Sequence, residues 1–542
     1  MEKIKNFAAD VILYRKNNKY PNIFEDPSNA IFKKITGLES SDGAFILSRN
    51  KSAVFVDGRY AAAARQYIDQ SKFDILNLEY SEIVRWIKEN TTQSGIIAYD
   101  PDYFSHREME FFFGELKSYS FSHIDLKKTL NIPSETFSLN LYQCRDANPD
   151  RMRFVINLIE ENDLDAYLIS DPCSIAWILD LRDLNQKYTP VILGHLLVTN
   201  DHRQHLYLDS RYGRLNGFRS EEDLPSYLYK LFRVGIDKSQ TAYSLQHPNF
   251  VDLKNPCLLP KSVKNSLEIE DMKIAARKDS TAITCFLHWL HHIDADAITE
   301  RVAIEKLLYF RKQQDGFIGE SFKTIAAADE HSAMVHYSPS LQSDKMIKNL
   351  LLIDSGGQYI RGTTDITRTV SISNPSEEQR RFYTLVLKGH IALADAKFPP
   401  NTCCSQLDSL ARQFLWQNVT DYHHGTGHGI GYMSHVHEGP IGFSCSCQTP
   451  LLPGMILSNE PGYYLEDHFG IRLENMIAVM SSGHFMNFEP LSLVPFDPKL
   501  ISMDLLSTFE KEWLAKYHSI IFSVLDLPTD VRQWVRFIST YE

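Results

Sequence analysis

Five residues in the second half of this 542-residue chain have types and spacing suited to chemistry: Asp354, Asp365, His428, Glu460 and Glu474. The first two lie in LLLIDSGGQYIRGTTDITRTV, residues 350–370. It reads as a short apolar strand ending at Asp354, a Gly-containing turn, and a second strand opened by Asp365. Acidic residues disfavour strands, so a facing pair needs a reason. Turn chemistry accounts for one such Asp. It does not account for two when three more donors follow: His428 in HHGTGHGIGY, Glu460 in ILSNEPGYY and Glu474 in GIRLENMIAV. Each sits beside glycine or at the end of an apolar strand, where a rigid sheet holds a ligand while backbone comes close. Four carboxylates and one imidazole suit divalent Mn, Co or Zn. Their charges offset two dications, with room for a hydroxide between them, which is the composition of a two-metal hydrolytic centre.

The elements around these donors belong to a chain too long for one ordinary core, so two or three domains are expected. Hydrophobic residues make up 43% and charged residues 23%, an ordinary soluble composition. The formal net charge of -12 argues against nucleic acid and anionic membranes as main partners. Eight scattered cysteines, including a CxC at Cys445 and Cys447 and the adjacent Cys403 and Cys404, lack zinc-site spacing and read as free thiols of a reducing compartment. The N-terminal apolar run is too short for a signal peptide, and no window approaches the roughly 18 apolar residues of a spanning helix. A cytoplasmic protein is expected.

Residues 1–148 read as a first α/β unit and 149–262 as a second, with CRDANPDR at 144–151 as the linker. GAFILSRNKSAVFVDGRY (43–60) and GHLLVTNDHRQHLYLDSRY (194–212) share a Gly start, two strands around a polar turn, and an Asp-x-Arg-Tyr end. The matched residues are Asp57, Arg59 and Tyr60 against Asp209, Arg211 and Tyr212, taken as structural. This predicts an internal repeat of a whole domain. Residues 263–500 alternate helices with paired strands, an α+β arrangement. One helix is predicted to open at Asn374 and Pro375. Residues 501–542 read as a helical extension whose aromatics, Trp513, Tyr517 and Trp534, suit packing onto the body or a second subunit.

DSGGQY, GTTDITRT, HGTGHGIG, VHEGP, NEPGYY and GIRLEN, in this order, resemble the metal-dependent Xaa-Pro aminopeptidases (the aminopeptidase P group) of metallopeptidase family M24. KNSLEIEDM, SFKTIAA, MVHYSP, IAWILDLR, TGLESSDGAFILSRNKSAVFVDGRY and EKEWLAKYHSII extend the likeness to the long, three-domain cytosolic form. The resemblance implies two creatinase-like α/β domains, a pita-bread catalytic domain and a C-terminal extension. It implies that Asp354 and Asp365 ligate one metal, His428 and Glu460 the other, with Asp365 and Glu474 bridging. It implies that His336, His424 and His437 line the scissile peptide and that Arg472 supports the ligands from the same strand face as Glu474. Manganese is the expected ion, with cobalt and zinc as alternatives. Peptides with proline in second position are the expected substrates, and a homodimer the expected assembly. Glu460 is the candidate acceptor of the water proton. Arg361, His435 and the loop AAADEHSAM (326–334) depart from the family pattern without removing a ligand. His331, His423 and His435 read as structural.

Other readings are weaker. GTGHGIG lacks the Lys-Ser/Thr of a phosphate loop, and no GxSxG elbow supports serine catalysis. Prolidase shares every ligand but cleaves only dipeptides, and the long N-terminal half and C-terminal extension favour the aminopeptidase. A metal-free pita-bread binding module, or creatinase-like hydrolysis without metal, would not be expected to keep all five ligands.

Overall fold

Two six-stranded sheets built on one plan organise the first half of the chain. The computed structural model describes residues 9–539 except 18, 22, 24–26, 93, 134, 145–148, 294–297, 338 and 340–342, and omits the side chains of 27–29, 59, 62 and 149. The first sheet runs Phe73–Asn77, Ser52–Val56, Ala44–Ser48, Val11–Arg15, Ile96–Tyr99, Ser120–His123. The second runs Arg219–Ser220, Gln204–Leu208, Gly194–Thr199, Ala166–Ile169, Val234–Ile236, Phe250–Asp252. Successive pairings in both are parallel, antiparallel, antiparallel, parallel, parallel. The inner strands Ala44–Ser48, Ser52–Val56, Ala166–Ile169 and Gly194–Thr199 are nearly continuous buried runs, as strands covered on both faces require.

The two Asp-x-Arg-Tyr ends become matching single turns, Gly58–Tyr60 and Ser210–Tyr212. Tyr60 N–H donates to Asp57 O at 3.0 Å, and Tyr212 N–H to Asp209 O at 3.1 Å. Asp209 Oδ1 also accepts from Arg211 N and Nε, each at 2.8 Å. The Arg59 side chain, and the linker stretch 145–148, lie outside the described residues. The chain divides into two compact units, Met1–Gln186 with Pro190–Leu258, and Lys187–Thr189 with Leu259–Glu542.

In the second unit, helix Ser266–His292 starts in a capping box between Asn265 and Glu268, and helix Glu300–Lys312 is capped by Thr299. Strand Leu350–Ser355 sits between Ile325–Ala328 and Ile366–Ser371, antiparallel to both, with Asp354 opposite Thr367. The simple turn expected between Asp354 and Asp365 is a second hairpin. Gly357–Tyr359 pairs with Gly362–Thr363 and with Phe317–Glu320. The next helix opens later than expected. Its cap is Ser376, closed by Gln379, so helix Glu377–Ala394 excludes Asn374 and Pro375. A reciprocal box satisfies two backbone N–H groups, which Asn-Pro does not.

Strands Lys397–Phe398, Phe485–Pro490, Asn475–Ser482 and Ile456–Asn459 form a further sheet, and Gly462–Leu465 pairs with Phe469–Arg472 as a separate ribbon. The terminal helices Thr508–Val524 and Thr529–Ile538 pack on this body. Leu514, Tyr517, Ile521, Val531 and Val535 share a buried cluster with Ile471 and Leu473. Trp513 stacks on Tyr517, ring centroids 5.2 Å apart, and the Tyr517 hydroxyl accepts from Val494 N–H at 3.1 Å. No helix among the described residues is long and apolar enough to cross a membrane.

Candidate metal centre

The five predicted donors meet at one place, each delivered by a different end of local structure. Asp354 is the penultimate residue of Leu350–Ser355, and Asp365 immediately precedes Ile366–Ser371. Glu460 follows Ile456–Asn459, and Glu474 lies between Phe469–Arg472 and Asn475–Ser482. Arg472 and Glu474 therefore do not share a strand face as expected. The chain leaves the ribbon at Arg472 and joins the larger sheet at Asn475, with Glu474 N–H donating to Thr367 O at 3.1 Å. Donor atoms of Asp354, Asp365 and Glu474 lie within 4.8 Å of one another, as do those of His428, Glu460 and Glu474, and of Asp365, His428 and His437.

His428 is held by close backbone packing. A Cβ at Gly427 would stand 2.0 Å from Ser458 O, and one at Gly429 2.1 Å from Glu438 O, so neither position takes a side chain. Ser458 N–H donates to His428 O at 2.8 Å, and Ser458 Oγ reaches Glu460 Oε1 at 3.2 Å. The His428 Nδ1–H donates to Gly429 O at 3.0 Å. That leaves Nε2 facing Asp365 Oδ2 at 3.3 Å and Glu460 Oε1 at 3.5 Å.

The electrostatics are those of carboxylates short of positive charge. Burial, then the nearby Asp354 and Glu460, pushes Asp365 well above the usual carboxylate range. Burial, then Asp365, Glu460 and Asp354, does the same to Glu474. Glu460 is raised chiefly by burial. Arg472 pairs with the fourth carboxylate. Arg472 donates to Asp354 Oδ2 at 2.6 Å and to the Tyr464 hydroxyl at 2.8 Å. Burial pushes Tyr464 up to about 12. The other Asp354 oxygen, Oδ1, is buried with no hydrogen-bond partner among the described residues. Buried carboxylates in excess, an oxygen without a donor and a free imidazole nitrogen fit divalent cations.

The predicted histidines divide. His424 donates from Nδ1 to Gly425 O at 2.8 Å and accepts at Nε2 from the Tyr464 hydroxyl at 2.9 Å. His437 packs its ring against His428, centroids 4.2 Å apart. His336 is half-buried on the turn after Asp329–Ala333 and is not among the gathered donors. His435 accepts from His437 N–H at 3.0 Å, His331 bonds Glu300 at 2.8 Å, and His423 is exposed. Arg361 pairs with Asp271 at 2.6 Å, and Asp271 also accepts from Tyr432 at 3.0 Å.

Further residues support the donors. Thr367 Oγ1 donates to Glu474 Oε2 at 2.7 Å. Tyr464 links His424 to Arg472, and its place in NEPGYY was the one available signal. Glu438 is gripped by Lys261 and Lys264, a contact between residues too far apart in sequence to be inferred.

Residues 270–481 match metallopeptidase family M24, 484–535 match the C-terminal region of peptidase M24, and 135–268 match a creatinase/prolidase N-terminal domain. The chain is 30% identical to a probable Xaa-Pro aminopeptidase P of Pyricularia oryzae, over 95% of this chain and 93% of that one. It is 30% identical to aminopeptidase P2 of Arabidopsis thaliana, over 92% and 81%. Among solved structures it is similar to an X-prolyl aminopeptidase from Caenorhabditis elegans, described as a cytosolic enzyme with a di-nuclear active site. That match has a TM-score of 0.90, 25% identity, and covers 98% of this chain and 95% of that one.

Proposed function

This chain belongs to metallopeptidase family M24, and we propose that Asp354, Asp365, His428, Glu460 and Glu474 hold two divalent metal ions, with manganese as the working ion. The enzyme is an Xaa-Pro aminopeptidase. It removes the N-terminal residue from peptides with proline in second position. The observation that carries the reading is the gathering of four carboxylates and one imidazole in overlapping groups whose donor atoms lie within 4.8 Å of one another. Full-length similarity to Xaa-Pro aminopeptidases gives it its substrate class.

The bond before proline is a tertiary amide with no N–H, which general peptidases handle poorly. Bound ions would supply Lewis acidity and lower the pKa of water. The remaining work falls to the chain. Glu460, beside the His428 imidazole, takes the water proton. His437, beside the donors, and His336 stabilise charge on the scissile carbonyl oxygen and assist departure of the proline nitrogen, while His424, held by Tyr464, lines the scissile peptide. Arg472 fixes Asp354 and, through Tyr464, the tautomer of His424.

The proposed domains are 1–148, 149–262, 263–500 and 501–542, the first two supported by their shared strand order. We further propose a cytoplasmic homodimer, which size-exclusion chromatography with light scattering would test. Activity is tested with protein stripped of metal and refilled separately with Mn, Co or Zn. Release of arginine from Arg-Pro-Pro is expected. Cleavage of Arg-Pro alone would make the protein a prolidase, and no cleavage with any ion would end the reading.

A further inference from the structure

Glu438, which follows His437, is buried between two buried ammonium groups. Oε2 accepts from Lys261 Nζ at 2.7 Å, and Oε1 from Lys264 Nζ. Burial alone would raise Glu438, but the two cations outweigh it and hold it below the usual carboxylate range. Burial lowers Lys264 despite the pull of Glu438 and Glu268, and buried ion pairs of this kind are poor sources of stability. Their value lies in what they hold still.

Both sides of the contact are anchored. The lysines lie on the stretch that opens the second unit, where Lys264 N–H donates to Gly454 O at 2.9 Å and Val263 bridges to Met455. Glu438 N–H donates to Gly429 O at 2.7 Å, and Gly429 N–H to Ile441 O at 3.0 Å. The strap carrying His437 is thus laced to the residue after His428. The His437 side chain lies at the surface against the His428 and His435 rings, and its main chain is carried by that strap.

We propose that Glu438, clamped by Lys261 and Lys264, is a positioning residue that fixes the His437 imidazole over the donor cluster. The proposal rests on the role given to His437 above. It adds a support that neither residue's place in the sequence discloses.

A double-mutant cycle on the full-length, metal-loaded enzyme tests it. kcat and KM for Arg-Pro-Pro, metal per chain and melting temperature are compared for wild type, Glu438→Gln, His437→Ala and the combination. Glu438→Gln is expected to lower kcat by about 10- to 100-fold, with metal content unchanged and KM within about two-fold. In the His437→Ala background it should cost less than about two-fold. Lys261→Met leaves Glu438 its bond to Lys264, should lower kcat about three-fold, and serves in the same cycle if Glu438→Gln does not fold. A loss in His437→Ala with undiminished kcat in Glu438→Gln overturns the clamp alone, as do equal losses with and without His437. Wild-type kcat in His437→Ala overturns the role of His437, and the clamp's purpose with it.

Discussion

The strand Leu350–Ser355 and the hairpin after it border two buried acidic sites that solve charge in opposite ways. Near one end, Asp279 accepts from Arg311 Nε and Nη2 at 2.7 and 3.1 Å, from Tyr359 at 2.9 Å and from Thr364 at 2.8 Å. Arg311 also donates to Ser355 Oγ at 3.0 Å. That carboxylate is satisfied, and it pins the hairpin that separates Asp354 from Asp365. The donor cluster gathers four carboxylates, of which Asp354 is the one paired directly with Arg472, and Asp354 Oδ1 has no donor among the described residues. A paired buried acid is structure. A surplus of them is a demand for cations from outside the chain.

Substitutions separate the two sites. Asp365→Ala should abolish metal-dependent release of arginine from Arg-Pro-Pro while the metal-free protein melts at or above the wild-type temperature, because a repelled buried carboxylate is gone. Asp279→Ala should do the reverse. Stranding Arg311 is expected to cost about 3–5 kcal/mol of stability, read by chemical denaturation. Arg472→Met should weaken metal binding by about 10- to 100-fold, read by competition with a chelating dye. Arg361→Ala, at a partly exposed pair, should change stability by less than about 1 kcal/mol and leave tripeptide turnover unchanged.

Acidity sharpens the contrast. In the metal-free protein Asp365 and Glu474 are raised, so the folded state keeps protons that the unfolded chain has released. Their contribution to stability is present below the unfolded value of about 4 and is lost as pH rises through the raised values. Thermal melts of metal-free protein should fall across that window. Asp365→Asn should flatten the fall, and metal binding should release protons.

The donors were legible because acids at strand ends and a histidine flanked by glycines are unusual placements with few structural uses. The two α/β units were legible through their repeated strand–turn–strand ends. The rest depended on partners remote in sequence. Asp279 and Arg311 are ordinary residues of two helices until folding brings them together, and Lys261 and Glu438, 177 positions apart, also meet only on folding. Parallel strands such as Ser120–His123 and Arg219–Ser220 are too short to announce themselves. Arg472 and Glu474 read as one strand because nothing local marks where the chain changes sheets. The helix start at Ser376 turned on the reach of Gln379, which outweighed the Asn-Pro preceding it.

The function turns on whether the surplus carboxylates bind ions. Anomalous diffraction from crystals of the full-length chain loaded with manganese would decide it. Two peaks per chain are predicted, one bounded by Asp354, Asp365 and Glu474, the other by His428, Glu460 and Glu474. An ion-free cluster under saturating manganese, in protein that is folded, would contradict it.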